Sequence, residues 1–145
     1  VKYYYKKGYN KKTLSWKILL DNFNKSVIKG NLIKHNPIGF FVSHEAHKIP
    51  ELKKVLKKLN CKTAHLYFNI TTTSKTFGKH RDNVDVWFWN CQGKVKWIME
   101  DGKSFILDSG DLIFVAKGVY HEVLPLSPRA GISMSIEWFF IEILL

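Results

Sequence analysis

The stretch His80-Arg81-Asp82-Asn83-Val84-Asp85-Val86-Trp87-Phe88, followed by Gly93-Lys94-Val95-Lys96-Trp97, decides how this chain is read. Side chains at i and i+2 of an extended segment lie on one face, so His80 and Asp82 point the same way. An imidazole and a carboxylate on one face are two ligands for one metal ion. Residues 84–91 are rich in β-branched and aromatic side chains and read as a strand.

A third ligand has to come from elsewhere in the chain, and His121 is the natural candidate. It ends Gly110-Asp111-Leu112-Ile113-Phe114-Val115-Ala116-Lys117-Gly118-Val119-Tyr120-His121, which reads as a strand, a tight turn at Lys117-Gly118 and a second strand. Two histidines and one carboxylate leave coordination positions open, the donor set of non-haem Fe(II) oxygenases.

Working outward, further strands are expected at 64–70, 94–99, 104–107, 112–116, 119–124 and 131–142, with one more around 38–43. Turn signals at Gln92-Gly93, Asp101-Gly102, Ser109-Gly110 and Ser127-Pro128 separate several of them. Many short strands with close turns predict a mainly β fold, a barrel or a sandwich. Two helices precede it. Residues 13–30 carry Trp16, Leu19, Leu20, Phe23 and Val27 at helical spacing, with Thr13 or Ser15 to cap the start and Gly30 to end it. Residues 50–59 open on Pro50 and carry the stripe Leu52, Val55, Leu56 and Leu59. Lys53, Lys54, Lys57 and Lys58 fall off that stripe.

The motif segments together resemble the cupin-type Jumonji-C (JmjC-like) hydroxylases, over roughly residues 62–142. Their pattern is His-x-Asp, an aromatic-rich strand, then Gly-x-Lys-x-Trp. The segment around Gly118-Val119-Tyr120-His121-Glu122-Val123 resembles their second metal-binding segment, and Gly131-Ile132-Ser133-Met134-Ser135-Ile136-Glu137-Trp138 their closing strand. The resemblance implies a double-stranded β-helix, a cupin or jelly-roll barrel. It also implies Fe(II), 2-oxoglutarate as cosubstrate and O₂, with hydroxylation or demethylation of a substrate. Several members of that group modify ribosomal proteins or tRNA.

The chain departs from the pattern at two positions. Val95 stands where the cation for 2-oxoglutarate usually sits, and Ala116 where proline is common. Lys96 points inward only if a bulge follows Gly93. Otherwise Arg129, eight residues past His121, is the cation for the cosubstrate carboxylate. Tyr67 is a further cosubstrate-binding candidate, the alternative being a plain strand aromatic. Glu122 or Glu137 is a candidate to orient a ligand histidine. Trp87, Phe88 and Trp89 read as core and sheet surface. His35, His44, His47 and His65 have no clear partners, and His44 and His47 flank Glu45-Ala46 at an imperfect metal spacing.

With 145 residues, 46% of them hydrophobic and 14% aromatic, the chain can bury a core and is not disordered. One domain, 1–145, is expected: a helical, basic part over 1–61 and a metal-binding β core over 62–145. No apolar run approaches the ~20 residues of a membrane span. The first dozen residues hold no secretory h-region, and Cys61 and Cys91 read as buried thiols, so a cytoplasmic protein is expected. Net charge is +11 but uneven: residues 1–62 hold fifteen lysines and three acids, residues 63–145 eight bases and nine acids. Such a half suggests an anionic partner such as RNA, a ribosome or DNA, or else an AT-rich genome that enriches lysine; with the family resemblance, RNA or a ribosomal protein is the partner expected. A homodimer is left open. The rival to an Fe(II)/2-oxoglutarate oxygenase is a non-catalytic cupin-like metal- or ligand-binding protein. A metal-dependent isomerase or epimerase is a third reading, set back because such sites usually carry more histidines.

Overall fold

The structure is a computed structural model, which describes residues 1–29, 32–34, 39–136 and 141–143; the side chains of 32–34 and 141–143 lie outside the description. In chain order the elements are β1 (Tyr3–Lys6), α1 (Trp16–Ile28), β2 (Leu32–Lys34), β3 (Phe40–Ser43), two 3-10 turns (Ala46–Lys48 and Pro50–Leu52) and α2 (Lys53–Lys58). Then follow β4 (Thr63–Asn69), β5 (His80–Asp82), β6 (Val86–Gln92), β7 (Val95–Met99), β8 (Ser104–Leu107), β9 (Leu112–Val115), β10 (His121–Pro125), β11 (Arg129–Ser135) and β12 (Ile141–Ile143).

Two antiparallel sheets carry the strands. One runs β1-β9-β6-β11-β4-β3-β2 and the other β12-β5-β10-β7-β8. From β4 onward the chain passes back and forth between them: β4 in the large sheet, β5 in the small, β6 large, β7 and β8 small, β9 large, β10 small, β11 large. Both faces of the large sheet are covered, so β4 and β11 are almost wholly buried. Period-2 alternation divides their side chains. Ala64, Leu66, Phe68, Ala130, Ile132 and Met134 pack outward in a core shared with Leu19, Leu52, Val55 and Leu56. A second core, built on Phe88, Val95, Trp97, Leu107, Ile113 and Val123, draws its residues from both sheets.

The N-terminal part holds more than helices. β1 pairs with β9, and β3 and β2 extend the large sheet beyond β4. The two expected helices and the strand expected around 38–43 are present; β1 is an addition, since Tyr3-Tyr4-Tyr5 is too short a run to show a period by itself and becomes a strand because β9 offers an edge. The first helix starts where expected, with the Ser15 hydroxyl accepting from Ile18 N at 3.2 Å. Gly30, its expected end, lies outside the described residues. The helix buries Leu19, Asn22 and Ser26 rather than the whole apolar stripe. The Asn22 amide donates to Glu45 O, and Ser26 meets Ser43 across the interface. Trp16, Leu20 and Val27 stay partly exposed. The expected helix at 50–59 divides into a 3-10 turn and α2, with Leu52, Val55 and Leu56 buried as anticipated. The strand expected over 131–142 is β11 and β12, separate in sequence and in different sheets. Among the described residues, no helix is long and apolar enough to cross a membrane.

Candidate metal centre

β5 and β10 are antiparallel neighbours, and their register sets His80 opposite His121. Two residues further along β5, on the same face as His80, is Asp82. Each of the three is buried. One potential ligand atom from each of His80, Asp82 and His121 lies within 4.8 Å of the others, a grouping that no other set of histidine, cysteine or acidic residues matches among the described residues. His121 Nε2 lies 3.7 Å from Asp82 Oδ2, and the two imidazole centroids are 4.3 Å apart.

The tautomers follow from hydrogen bonding. His80 Nδ1 lies 2.8 Å from Gly78 O, and His121 Nδ1 lies 2.9 Å from Val119 O. A carbonyl only accepts, so each Nδ1 carries the proton and donates, and each Nε2 keeps its lone pair. Backbone carbonyls therefore do what Glu122 or Glu137 was expected to do. Glu137 lies outside the described residues, and Glu122 alternates away from His121 on β10. The ring of Trp97 lies nearly parallel to that of His121, 14° off with centroids 5.1 Å apart, and Phe77 meets His80 edge to face. The turn before β10 is tied to the other ligand strand: Gly118, at φ +82°, donates its N–H to Asp82 O at 2.9 Å.

Burial governs the electrostatics. It pushes the Asp82 carboxyl up to about 7 and lowers both imidazoles, His121 to about 3 with the neighbouring His80 adding to the effect. Neutral imidazoles are the metal-binding form. Among the described residues, the close ionisable contact of Asp82 is His121 Nε2, and no lysine or arginine lies within ion-pair distance to bring a positive charge. The donor set thus fits a divalent transition ion, which would supply that charge.

These residues form one wall of a narrow cavity of about 20 Å³ lined from both sheets. Arg129 and Ser133 of β11, Tyr67 of β4 and Phe40, Phe77, Val86, Phe88 and Trp97 complete most of the lining. Arg129 is 1% exposed. Its Nε donates to Asn69 Oδ1 at 2.7 Å, its guanidinium lies over the rings of Phe40 and Phe88, and among the described residues its Nη1 has no hydrogen-bond partner. Burial lowers its pKa to about 9, which leaves it charged at neutral pH. Tyr67 lines the same cavity; burial, then the Asp82 charge, raises its phenol, while a hydrogen bond with Ser133 acts the other way.

Lys96 is the candidate that the structure removes from the cavity. β7 pairs in unbroken register with both β8 and β10, so no bulge follows Gly93. Regular alternation then turns Val95 and Trp97 inward and Lys96 to the opposite face. The large sheet does contain a bulge, at Ala130-Gly131 of β11. A Cβ on Gly131 would stand 2.1 Å from Phe88 Cζ, so only glycine lets that ring lie across the strand. Sequence reasoning missed Phe40 and Phe77 as cavity walls and Asn69 as the partner of Arg129. Parity along β4, already readable from Tyr67, was the available signal for Asn69.

No protein-family model and no curated protein matches the sequence. Solved structures do match in fold. The ribosomal oxygenase YcfD from Escherichia coli, in complex with cobalt and succinic acid, superimposes with a TM-score of 0.61 at 15% identity, over 72% of this chain and 34% of that one. The same protein with cobalt and 2-oxoglutarate gives 0.58 at 16% identity, over 66% and 30%. Salicylate 1,2-dioxygenase from Pseudaminobacter salicylatoxidans gives 0.58 at 11% identity, over 89% and 38%. The chain spans about a third of the length of these proteins and shares their cupin-type β fold.

Proposed function

We propose that this chain is an Fe(II)- and 2-oxoglutarate-dependent oxygenase, with the alternation of β4 to β11 between two sheets forming a double-stranded β-helix. The observation that carries the reading is the convergence of His80, Asp82 and His121 in a buried cavity that also holds the partly unpaired guanidinium of Arg129. His80 and His121 present Nε2 and Asp82 a carboxylate oxygen, together the facial set of two histidines and a carboxylate. When bound, iron with O₂ and 2-oxoglutarate supplies the oxidising chemistry.

The chain's own residues bind, orient and keep the site dry. The carbonyls of Gly78 and Val119 fix the ligand tautomers, and the Trp97 ring holds the plane of His121. Arg129 pairs with the distal carboxylate of the cosubstrate, and the Tyr67 hydroxyl lies in the same cavity as a second polar contact. Phe40, Phe77, Val86 and Phe88 exclude water from the space between Arg129 and the metal ligands.

The substrate is proposed to be macromolecular, RNA or a ribosomal protein. Fifteen of the bases lie in the first 62 residues, and the ribosomal oxygenase of similar fold acts as a precedent. Succinate formation from 2-oxoglutarate with Fe(II), O₂ and ascorbate tests the reading. Turnover by the parent that is lost in His80→Ala supports it. A parent that binds Fe(II) but neither binds nor turns over 2-oxoglutarate replaces it with a non-catalytic metal-binding cupin.

A further inference from the structure

The arginine in the cavity is held by one neighbouring side chain. β3, β4 and β11 set Phe40, Asn69 and Arg129 in one row across three strands. Asn69 is 1% exposed, and its Oδ1 accepts from Arg129 Nε at 2.7 Å. Its Nδ2 donates the other way, to Ser74 Oγ at 3.0 Å, Lys75 O at 3.2 Å and Ser74 O at 3.3 Å. These partners fix the amide. A guanidinium only donates and the two carbonyls only accept, so oxygen and nitrogen of Asn69 cannot change places.

Asn69 thereby ties the loop between β4 and β5 to the arginine. Ser74 Oγ accepts from Asn69 and donates to Thr71 O at 2.8 Å, and Ile70 N donates to Gly39 O at 3.0 Å. The end of the same loop supplies two cavity walls. Thr76 donates its hydroxyl to Val123 O at 2.6 Å, and the Phe77 ring meets those of Tyr67 and His80 edge on. The bond from Asn69 occupies the Nε edge of the guanidinium. A carboxylate therefore has to meet the Nη end, where Nη1 has no partner among the described residues. The partner is also neutral. Among the described residues no carboxylate pairs with Arg129, so Asn69 orients the charge without cancelling it. An aspartate at 69 would have the same shape and the opposite effect. It would neutralise the guanidinium and face the carbonyls of Ser74 and Lys75 with no proton to donate.

We propose that Asn69 is the positioning residue of the anion subsite: it presents the Nη end of Arg129 to the cavity, keeps the guanidinium charge free for a bound carboxylate, and joins the subsite to the loop that walls it. The role rests on the reading of this cavity as the cosubstrate pocket, and names the residue on which its arginine depends. Asn69 is not itself part of the cavity lining, so it acts through Arg129. An amide accepts on one side, donates on the other and carries no charge, a combination that a carboxylate of the same shape lacks.

The test is calorimetric titration of 2-oxoglutarate into the Mn(II)-loaded parent, Asn69→Ala and Asn69→Asp, with Mn(II) affinity measured first in each. Mn(II) affinity is expected to be the same in all three, which shows that the variants fold and that the triad is intact. Affinity for 2-oxoglutarate is expected to fall about tenfold in Asn69→Ala, which frees the guanidinium to turn, and roughly a hundredfold in Asn69→Asp, which cancels its charge. If Asn69 served the fold alone, a variant that still loads Mn(II) would keep its affinity for 2-oxoglutarate. Asn69→Ser replaces a variant that fails to load Mn(II), and is expected to lose as much as Asn69→Ala. Variants that bind within about threefold of the parent, or an Asn69→Asp that binds no more weakly than Asn69→Ala, overturn the role and leave the cosubstrate pocket standing. A parent that loads Mn(II) and binds no 2-oxoglutarate overturns both.

Discussion

Replacing Arg129 by methionine tests the cosubstrate pocket most directly. Arg129 is 1% exposed, holds one strong bond, from Nε to Asn69 Oδ1 at 2.7 Å, and among the described residues keeps Nη1 without a partner in a cavity shared with the metal ligands. A dicarboxylate bound there forms a buried, hydrogen-bonded ion pair. Removing one partner of such a pair costs about 3–5 kcal/mol, because the other charge stays buried and alone. At about 1.4 kcal/mol per tenfold, affinity for 2-oxoglutarate falls by roughly two to three and a half orders of magnitude. Stability changes much less. Asn69 Oδ1 loses its donor, at about 1–3 kcal/mol, but a charge desolvated without an anion is removed as well, and the two effects oppose. The assay is calorimetric titration of 2-oxoglutarate into the Mn(II)-loaded protein, with thermal unfolding followed in parallel. Lys96→Met serves as control and leaves affinity unchanged, because Lys96 faces away from the cavity. An Arg129→Met protein that binds within tenfold of the parent would refute the assignment.

Four further outcomes are expected. His80→Ala or Asp82→Ala abolishes stoichiometric Mn(II) binding at the triad while far-ultraviolet circular dichroism stays native; full-affinity binding in both would sink the site. Gly131→Ala lowers stability by about 1–3 kcal/mol in a urea titration, since its Cβ falls 2.1 Å from Phe88 Cζ and must displace a ring packed at the cavity wall; an unchanged midpoint would mean that the ring moves freely. Burial pushes Cys61 up to about 11 and Cys91 up to about 12, so the thiolate at pH 8 is roughly one part in a thousand and one in ten thousand. Neither thiol reacts quickly with a disulfide reagent in the folded protein and both do in guanidinium; a fast native thiol contradicts this. Reversing the exposed Lys53, Lys54, Lys57 and Lys58 of α2 to glutamate weakens RNA retention and flattens its salt dependence, with metal affinity unchanged; binding indifferent to salt and to reversal would separate these lysines from the substrate.

Local periodicity decided much about this protein before any coordinate. The two-residue repeat put His80 and Asp82 on one face and marked most strands of the two sheets to within a residue or two, because strand side chains alternate whatever the strand pairs with. The tight turn at Gly118 and a strand beginning at His121 were equally local. Periodicity also stated the choice at β7 correctly: Lys96 faces inward only through a bulge. Whether a bulge exists depends on the pairing of β7 with β8 and β10, and that pairing runs unbroken.

What only the tertiary structure decided was everything set by a distant partner. The register of β10 against β5 places His121 beside His80, and the carbonyls of Gly78 and Val119 choose the tautomers. β1 is a strand because β9 has a free edge, and α1 buries Asn22 and Ser26 because hydrogen-bond partners wait at Glu45 and Ser43. His44 and His65 showed no relation in sequence and meet because β3 lies against β4. Arg129 faces the metal ligands across the cavity because β11 brings it into the wall opposite β5 and β10. A sequence carries its own alternation, but which residues of two strands stand opposite is fixed by every other pairing in the sheets, and that sum is not written in any one segment.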